Sequence, residues 1–202
     1  MKSRNVSIYN GLDVSHWNGS INYRMVAESG IEIVYMKASE GSDFVDYTLE
    51  TNYYNAKAQG LLTGFYHFFR PSTEADALTE ARHFVNTIIN FDPDCRLTLD
   101  IEVADGLSNA TITNLCIIFL EEVKRLTGLD VVVYTNTTFA REHLNKEISI
   151  YPVWIADYDV IMPGYNGIWD SWIGFQYSET GSIAGVSGNV DLNLFTQDIL
   201  LK

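Results

Sequence analysis

Asp100 and Glu102 stand one residue apart at the end of the apolar segment RLTLDIE (96–102). On a strand, residues two apart face the same way with Cα atoms ~6.5–7 Å apart, so both carboxyls would enter one confined space. Ile101 between them would point to the opposite layer. Like charges that close cannot both ionise cheaply, so one pKa rises and the pair supplies an acid at working pH. A lone Asp-x-Glu would read as two solvated acids at a strand end, or as a cap for the next helix. Here Asp13 in GLDVS and Asp191 in VDLNLF occupy matching positions. Lys37 and Glu40, Tyr66 and His67, Trp154 and Tyr158, Gln176 and Asn193 mark other strands. Paired carboxylates among aromatic rings suit glycoside hydrolysis, where Asp/Glu pairs supply the acid and the stabiliser.

Other chemistries find less support. The four histidines, 16, 67, 83 and 143, form neither H-x-x-x-H nor H-E-x-x-H. Asp13, Asp100, Glu102 and Asp191 could together hold a divalent cation, but the expectation is no metal and no cofactor. No G-x-S-x-G marks a serine nucleophile, and no glycine-rich loop marks a phosphate site. A non-catalytic glycan-binding barrel with the same aromatic groove is the competing class. It would usually have lost one acid, and all four are present.

The elements that must position these residues alternate along the chain. Strand-like segments, rich in β-branched and aromatic residues, cover 11–15, 31–38, 61–69, 96–102, 130–135, 152–158, 172–178 and 190–195. Helical patterns cover 22–30, 47–60, 72–88, 108–128 and 136–146. The first, second and fourth of them stop at Gly30, Gly60 and Gly128, and the third opens with Ser72 after Pro71. After about residue 150 the helices fade. Eight strands alternating with helices predict a TIM-like (β/α) barrel of eight mostly parallel strands with an incomplete outer helix ring. A doubly wound open sheet is the alternative, but it usually has five to seven strands. In a barrel, strands one and eight are neighbours, which brings Asp13 and Asp191 together.

The composition agrees with a single domain over 1–202. Hydrophobic residues make up 47% and charged residues 19%, which excludes a disordered chain. Thirteen Lys+Arg against 26 Asp+Glu give a formal charge of −13, unsuited to nucleic acid or to anionic lipid. No apolar run reaches the ~18 residues of a membrane span. The start, MKSRNVSIYNGLDV, lacks an apolar core of ~7 residues, so no secretory signal is visible; either the protein leaves its cell by another route or the signal was removed. Two cysteines are too few for a disulfide framework, and Cys116 within LCIIFL reads as a buried thiol. Aromatic residues reach 13%, which suits a surface that stacks on ring-shaped ligands.

GLDVSHWNGSINY, VYMKASEG, GFYHFFRP, TLDIE, VYTNTTF, VWIADY, GFQYS and GNVDLN, taken in order, resemble the glycoside hydrolase family 25 lysozymes, or N-acetylmuramidases, from residue 10 to 195. The resemblance implies cleavage of the β-1,4 bond between N-acetylmuramic acid and N-acetylglucosamine in bacterial peptidoglycan. It makes Glu102 the general acid, Asp100 the second acid, and Asp13 and Asp191 the flanking acids. It places Tyr66, Glu40, Trp154 and Gln176 along the substrate groove. Asp100 would either orient the 2-acetamido group of the substrate or leave a carboxylate to activate water. His16-Trp17 is a departure, since many relatives carry other residues after D-V-S. The cell-wall-binding module common in the family is not visible. The expected partner is peptidoglycan, the expected state a monomer, and the expected place of action the bacterial cell wall, as for a phage endolysin.

Overall fold

The computed structural model describes residues 1–3 and 8–202. Eight strands close a barrel: β1 (Ile8–Val14), β2 (Ile33–Glu40), β3 (Leu62–Phe68), β4 (Leu97–Asp100), β5 (Val131–Asn136), β6 (Val153–Ala156), β7 (Gly174–Gly181) and β8 (Val190–Thr196). Each pairs with the next, and β1 joins β2 on one side and β8 on the other. β1 to β7 run parallel. β8 is antiparallel to both of its neighbours.

Five helices cover part of the outside: α1 (Tyr23–Glu28), α2 (Leu49–Ala58), α3 (Glu74–Ile88), α4 (Asn109–Thr127) and α5 (Thr137–His143). Among the described residues, the connections 157–173 and 182–189 carry no helix, so the ring is incomplete where the periodicity fades. α1, α2 and α4 stop within two residues of Gly30, Gly60 and Gly128. α3 starts later than Ser72 suggests. Its N-cap is Thr73, whose hydroxyl accepts from the Asp76 amide, while Ser72 Oγ donates to Asp76 Oδ2 at 2.6 Å.

The period of two along each strand divides the chain between two cores. Val34, Met36, Val131, Val133, Val153 and Ile155 face the helices and pack in the outer layer. Ile33, Tyr35, Val132, Tyr134, Trp154 and Phe195 face inward and fill the barrel. Tyr35, Trp154 and Phe195 form the interior plug, with ring centroids 4.8–5.3 Å apart. The neighbouring strands make room with glycines. A Cβ at Gly174 would stand 2.7 Å from Trp154 Cδ1, and one at Gly64 would collide with the Tyr35 ring. Both cysteines are free and buried.

This packing predicts that Gly64→Ala destabilises the fold although the backbone accepts alanine. Overpacking against a fixed ring costs about 2 kcal/mol, which for a domain of this size lowers Tm by roughly 4–8 °C. Thermal denaturation followed by circular dichroism measures it; an unchanged Tm would show that the plug is loosely packed.

Candidate active site

The polar ends of the strands meet at one rim of the barrel. Asp13 lies one residue before the end of β1, and Asp100 closes β4. β4 is shorter than the sequence pattern suggests: it ends at Asp100, so Glu102 leaves the sheet and stands in the following loop. Ile101 still turns into the helix layer, so Asp100 and Glu102 keep a common side. Asp191 is the second residue of β8. In a parallel strand that position would belong to the far rim. The antiparallel course of β8 brings it back, and the register sets Asp191 directly opposite Asp13.

These four acids line a cleft of about 270 Å³ together with Tyr66, Tyr134, Trp154, Lys37, Phe68 and the turn residues Ser15, Trp17 and Asn18. Of the other groove residues expected, Tyr66 and Trp154 are in this cleft. Gln176 lies beneath it, buried, and holds Asp13. Glu40 lies elsewhere. It faces a neighbouring depression of about 450 Å³, where it receives Lys37 Nζ at 2.6 Å and Arg70 Nη1 at 3.6 Å. His67 is on the other face of β3, buried in the helix layer between Ser39 and Glu80. A bulge in β2 between Lys37 and Ser39 explains the split, since it turns Lys37 to the cleft and Ser39 to His67.

Below the acids runs a closed hydrogen-bond network. Asp13 Oδ2 accepts from Gln176 Nε2 at 2.9 Å and from Asn193 Nδ2 at 2.7 Å. Asn193 Oδ1 accepts from Trp154 Nε1 at 2.8 Å. Gln176 Oε1 accepts from the hydroxyls of Tyr134 and Tyr158 at 2.8 and 2.7 Å. Each amide has its oxygen occupied by a ring donor and so presents its nitrogen to Asp13.

Burial pushes all four carboxyl pKa values up, and mutual repulsion adds to it. Burial raises Asp13, and the bonds from Asn193 and Gln176 restrain the rise. Burial and the charge of Asp13 push Asp191 up to about 8. Asp100 is held well above the carboxylate range by burial, then by Glu102 and Asp13, with Lys37 opposing. Its Oδ1 is buried without a hydrogen-bond partner. Burial raises Glu102 as well, while hydrogen bonds to Asp100 and Asn136 restrain it. The site therefore holds two carboxyl pairs, Asp13 with Asp191 and Asp100 with Glu102, whose titration belongs to the pair rather than to either member. Among the described residues, no group of three or more His, Cys, Asp or Glu is arranged to hold a metal ion.

Glu102 also borders a second cleft of about 380 Å³, lined by Asn136, Thr137, Thr138, Ala156, Asp157, Tyr158 and Glu179. It is the one residue common to the two. The sequence patterns did not single out Tyr134 or Asn136 for the site. Tyr134 is inward by the period of two, in register with Asp100 and Trp154, a signal visible only once the strand neighbours are known.

The family model for glycosyl hydrolases family 25 matches residues 12–186. The chain is 41% identical over 191 residues to an autolytic lysozyme of Clostridium acetobutylicum, covering 95% of this chain and 57% of that protein. It thus spans little more than half the length of that relative. The structure of a bacterial lysozyme from Streptomyces coelicolor superposes with a TM-score of 0.84 at 32% identity, covering 95% of this chain and 94% of that one. The CTP1L endolysin superposes with a TM-score of 0.85 at 38% identity, over 95% of this chain and 67% of that one.

The elevated acid at Asp191 links stability to pH. A carboxyl whose pKa rises from 3.8 to about 8 on folding favours the folded state only while protonated. That contribution is complete below about pH 4 and is lost as pH rises toward 8. Asp191→Asn removes the titration. The Tm of this variant relative to the parent is expected to climb between pH 4 and 8, and a pH-independent difference would refute the raised Asp191 carboxyl.

Proposed function

The chain belongs to glycosyl hydrolase family 25, and from that premise we propose that it is a muramidase hydrolysing the β-1,4 bond between N-acetylmuramic acid and N-acetylglucosamine in peptidoglycan. One observation carries the reading: Asp13, Asp100, Glu102 and Asp191 line one cleft, and Glu102 also borders the next. A glycan laid across both clefts has its scissile oxygen over Glu102. The similarity to lysozymes and to an endolysin supports the same substrate class, and the bacterial cell wall as the place of action. Among the described residues, no helix is long and apolar enough to cross a membrane.

Glu102 acts as the general acid, passing its proton to the glycosidic oxygen as the C–O bond breaks. The 2-acetamido N–H of the sugar in the acid cleft donates to Asp100, which lines that cleft. That bond favours Asp100 as the anion and leaves the proton on Glu102. Oriented this way, the acetamido oxygen attacks the anomeric carbon from the face opposite the leaving group. The resulting ring is then opened by water, with Glu102 as the base. Asp13 and Asp191 lower the energy of the positive charge that builds on the sugar. Asp13, clamped by two amides, is the anion of that pair.

Direct attack by Asp100 fits poorly, because two acids from one strand end approach the sugar from the same side. Inversion through a carboxylate-activated water is the second route that the acid pairs permit. Proton NMR of the freshly released sugar separates them: the β-anomer first fits the acetamido route, and the α-anomer first means inversion.

Glu102→Gln keeps the shape of the acid and removes its proton, and turnover is expected to fall roughly 100-fold or more. Asp100→Asn should lose a comparable factor, and Asp13→Asn and Asp191→Asn less. Mass spectrometry of digested peptidoglycan identifies the bond. Reducing N-acetylmuramic acid is expected; reducing N-acetylglucosamine would mean a glucosaminidase, and peptide release alone would sink the glycosidase reading. Full activity in EDTA is expected, and its loss would favour a carboxylate-bound metal instead.

A further inference from the structure

We propose that Trp17, His16 and Tyr47 form a distal sugar-binding subsite that holds the glycan on the non-reducing side of the cleavage point. The proposal rests on the muramidase reading of the acid cleft.

Trp17 is 84% exposed and Tyr47 75% exposed. Two large rings so far out of the core gain nothing from packing at those positions. They are not scattered. His16 lies between them, its ring centroid 4.7 Å from that of Trp17 and 5.2 Å from that of Tyr47, with Phe44 behind at 5.6 Å. The rings form a ledge of panels, Trp17 and Tyr47 being tilted by 37° and 44° to His16.

The ledge is also built to stay in place. Buried Asp46 accepts at Oδ2 from both the His16 backbone amide and His16 Nδ1, at 2.9 and 2.7 Å. Its Oδ1 accepts from the Thr48 amide and hydroxyl at 2.9 and 2.6 Å. Burial works against the Asp46 charge, but these bonds hold its pKa below the usual carboxylate range. On the other side, Ser15 and Asn18 close a capping box around the turn that carries Trp17. Anchoring the His16 ring and the loops that carry the other two before binding lowers the entropy lost when a ligand covers them.

Position identifies the occupant. Trp17 lines the acid cleft, four residues beyond Asp13, so the ledge continues that cleft. It stands on the loops after β1 and β2. The second cleft stands on the ends of β5, β6 and β7, across the barrel by strand order. A chain that passes over Glu102 from one to the other crosses the whole rim. The sugar whose acetamido group meets Asp100 lies on the ledge side, so the ledge receives the residues upstream of it. Pyranose rings present apolar C–H faces, and aromatic faces are their natural partner. The ledge offers ring faces, and the carboxylate beneath them, Asp46, is buried and bonded to His16 and Thr48.

The test uses peptide-free strands of alternating N-acetylglucosamine and N-acetylmuramic acid with two, four and six sugars, titrated calorimetrically into the Glu102→Gln protein. Affinity is expected to rise with length. Adding Tyr47→Ala should cost about ten-fold for the hexasaccharide and at most about two-fold for the disaccharide, about 1.4 kcal/mol against little. Trp17→Ala should cost at least as much for the long strand, and Tyr47→Phe, which keeps the ring, should restore it. Circular dichroism checks that these surface variants remain folded. An equal loss at every length, or none, overturns the subsite, including the case where the ledge serves a protein partner instead. Failure of the parent enzyme to cut the hexasaccharide would instead take down the muramidase reading.

Discussion

The pairing of β8 with β1 is the constraint on which the rest depends. It closes the barrel, and it does so antiparallel, so the strand that completes the ring delivers its beginning to the rim that carries the other acids. Asp191 thereby faces Asp13, and Asn193, two residues on, reaches Asp13 from below. A parallel eighth strand of the same sequence would send both side chains toward the opposite end. The short connection 182–189 follows from the same choice, because an antiparallel neighbour needs no crossover helix.

Closure also creates the low dielectric that the acids require. The aromatic plug of Tyr35, Trp154 and Phe195 keeps water out of the barrel, so the carboxyls above it stand on an apolar floor. Trp154 belongs to both levels: it packs within the plug and donates to Asn193. Burial then raises every acid, and Asp13 is met by two neutral amides, Gln176 and Asn193, while two tyrosines hold the oxygen of Gln176. Among the described residues, Lys37 is the one cation lining the cleft, and Glu40 already holds its ammonium. Countercharges placed against every acid would lower their pKa values. The raised carboxyl of Asp191 instead costs the fold stability as pH climbs toward 8.

Glu102 gains its position by leaving the sheet. Had β4 run on to residue 102, the carboxyl would sit in a ladder next to Asn136 and face one cleft. In the loop it borders two. Asp100, last in its strand, stays buried beside it.

Much of this was legible in the sequence, for physical reasons that differ by level. The eight strands and five helices follow from side-chain periodicity and caps, which are local, and a helix stop such as that at Gly128 needs only its near neighbours. Asp100 and Glu102 were visible because two acids ending an apolar run have few structural uses. Asp13 and Asp191 were visible because a closed ring makes its first and last strands adjacent. The direction of β8 was not legible, since strand periodicity is the same read either way. Glu40, drawn to Lys37 and Arg70, and Gln176, placed under the acids instead of in the groove, depend on contacts between strands far apart in the chain. So does the ledge, where Trp17 and Tyr47 meet across His16 only because Asp46 ties the loop after β2 to the turn after β1. Residue types and their spacing determine which chemistry is available and which elements carry it. Tertiary structure alone decides which side chains meet, because strand direction, bulges and loop anchors are set by partners that local sequence does not encode.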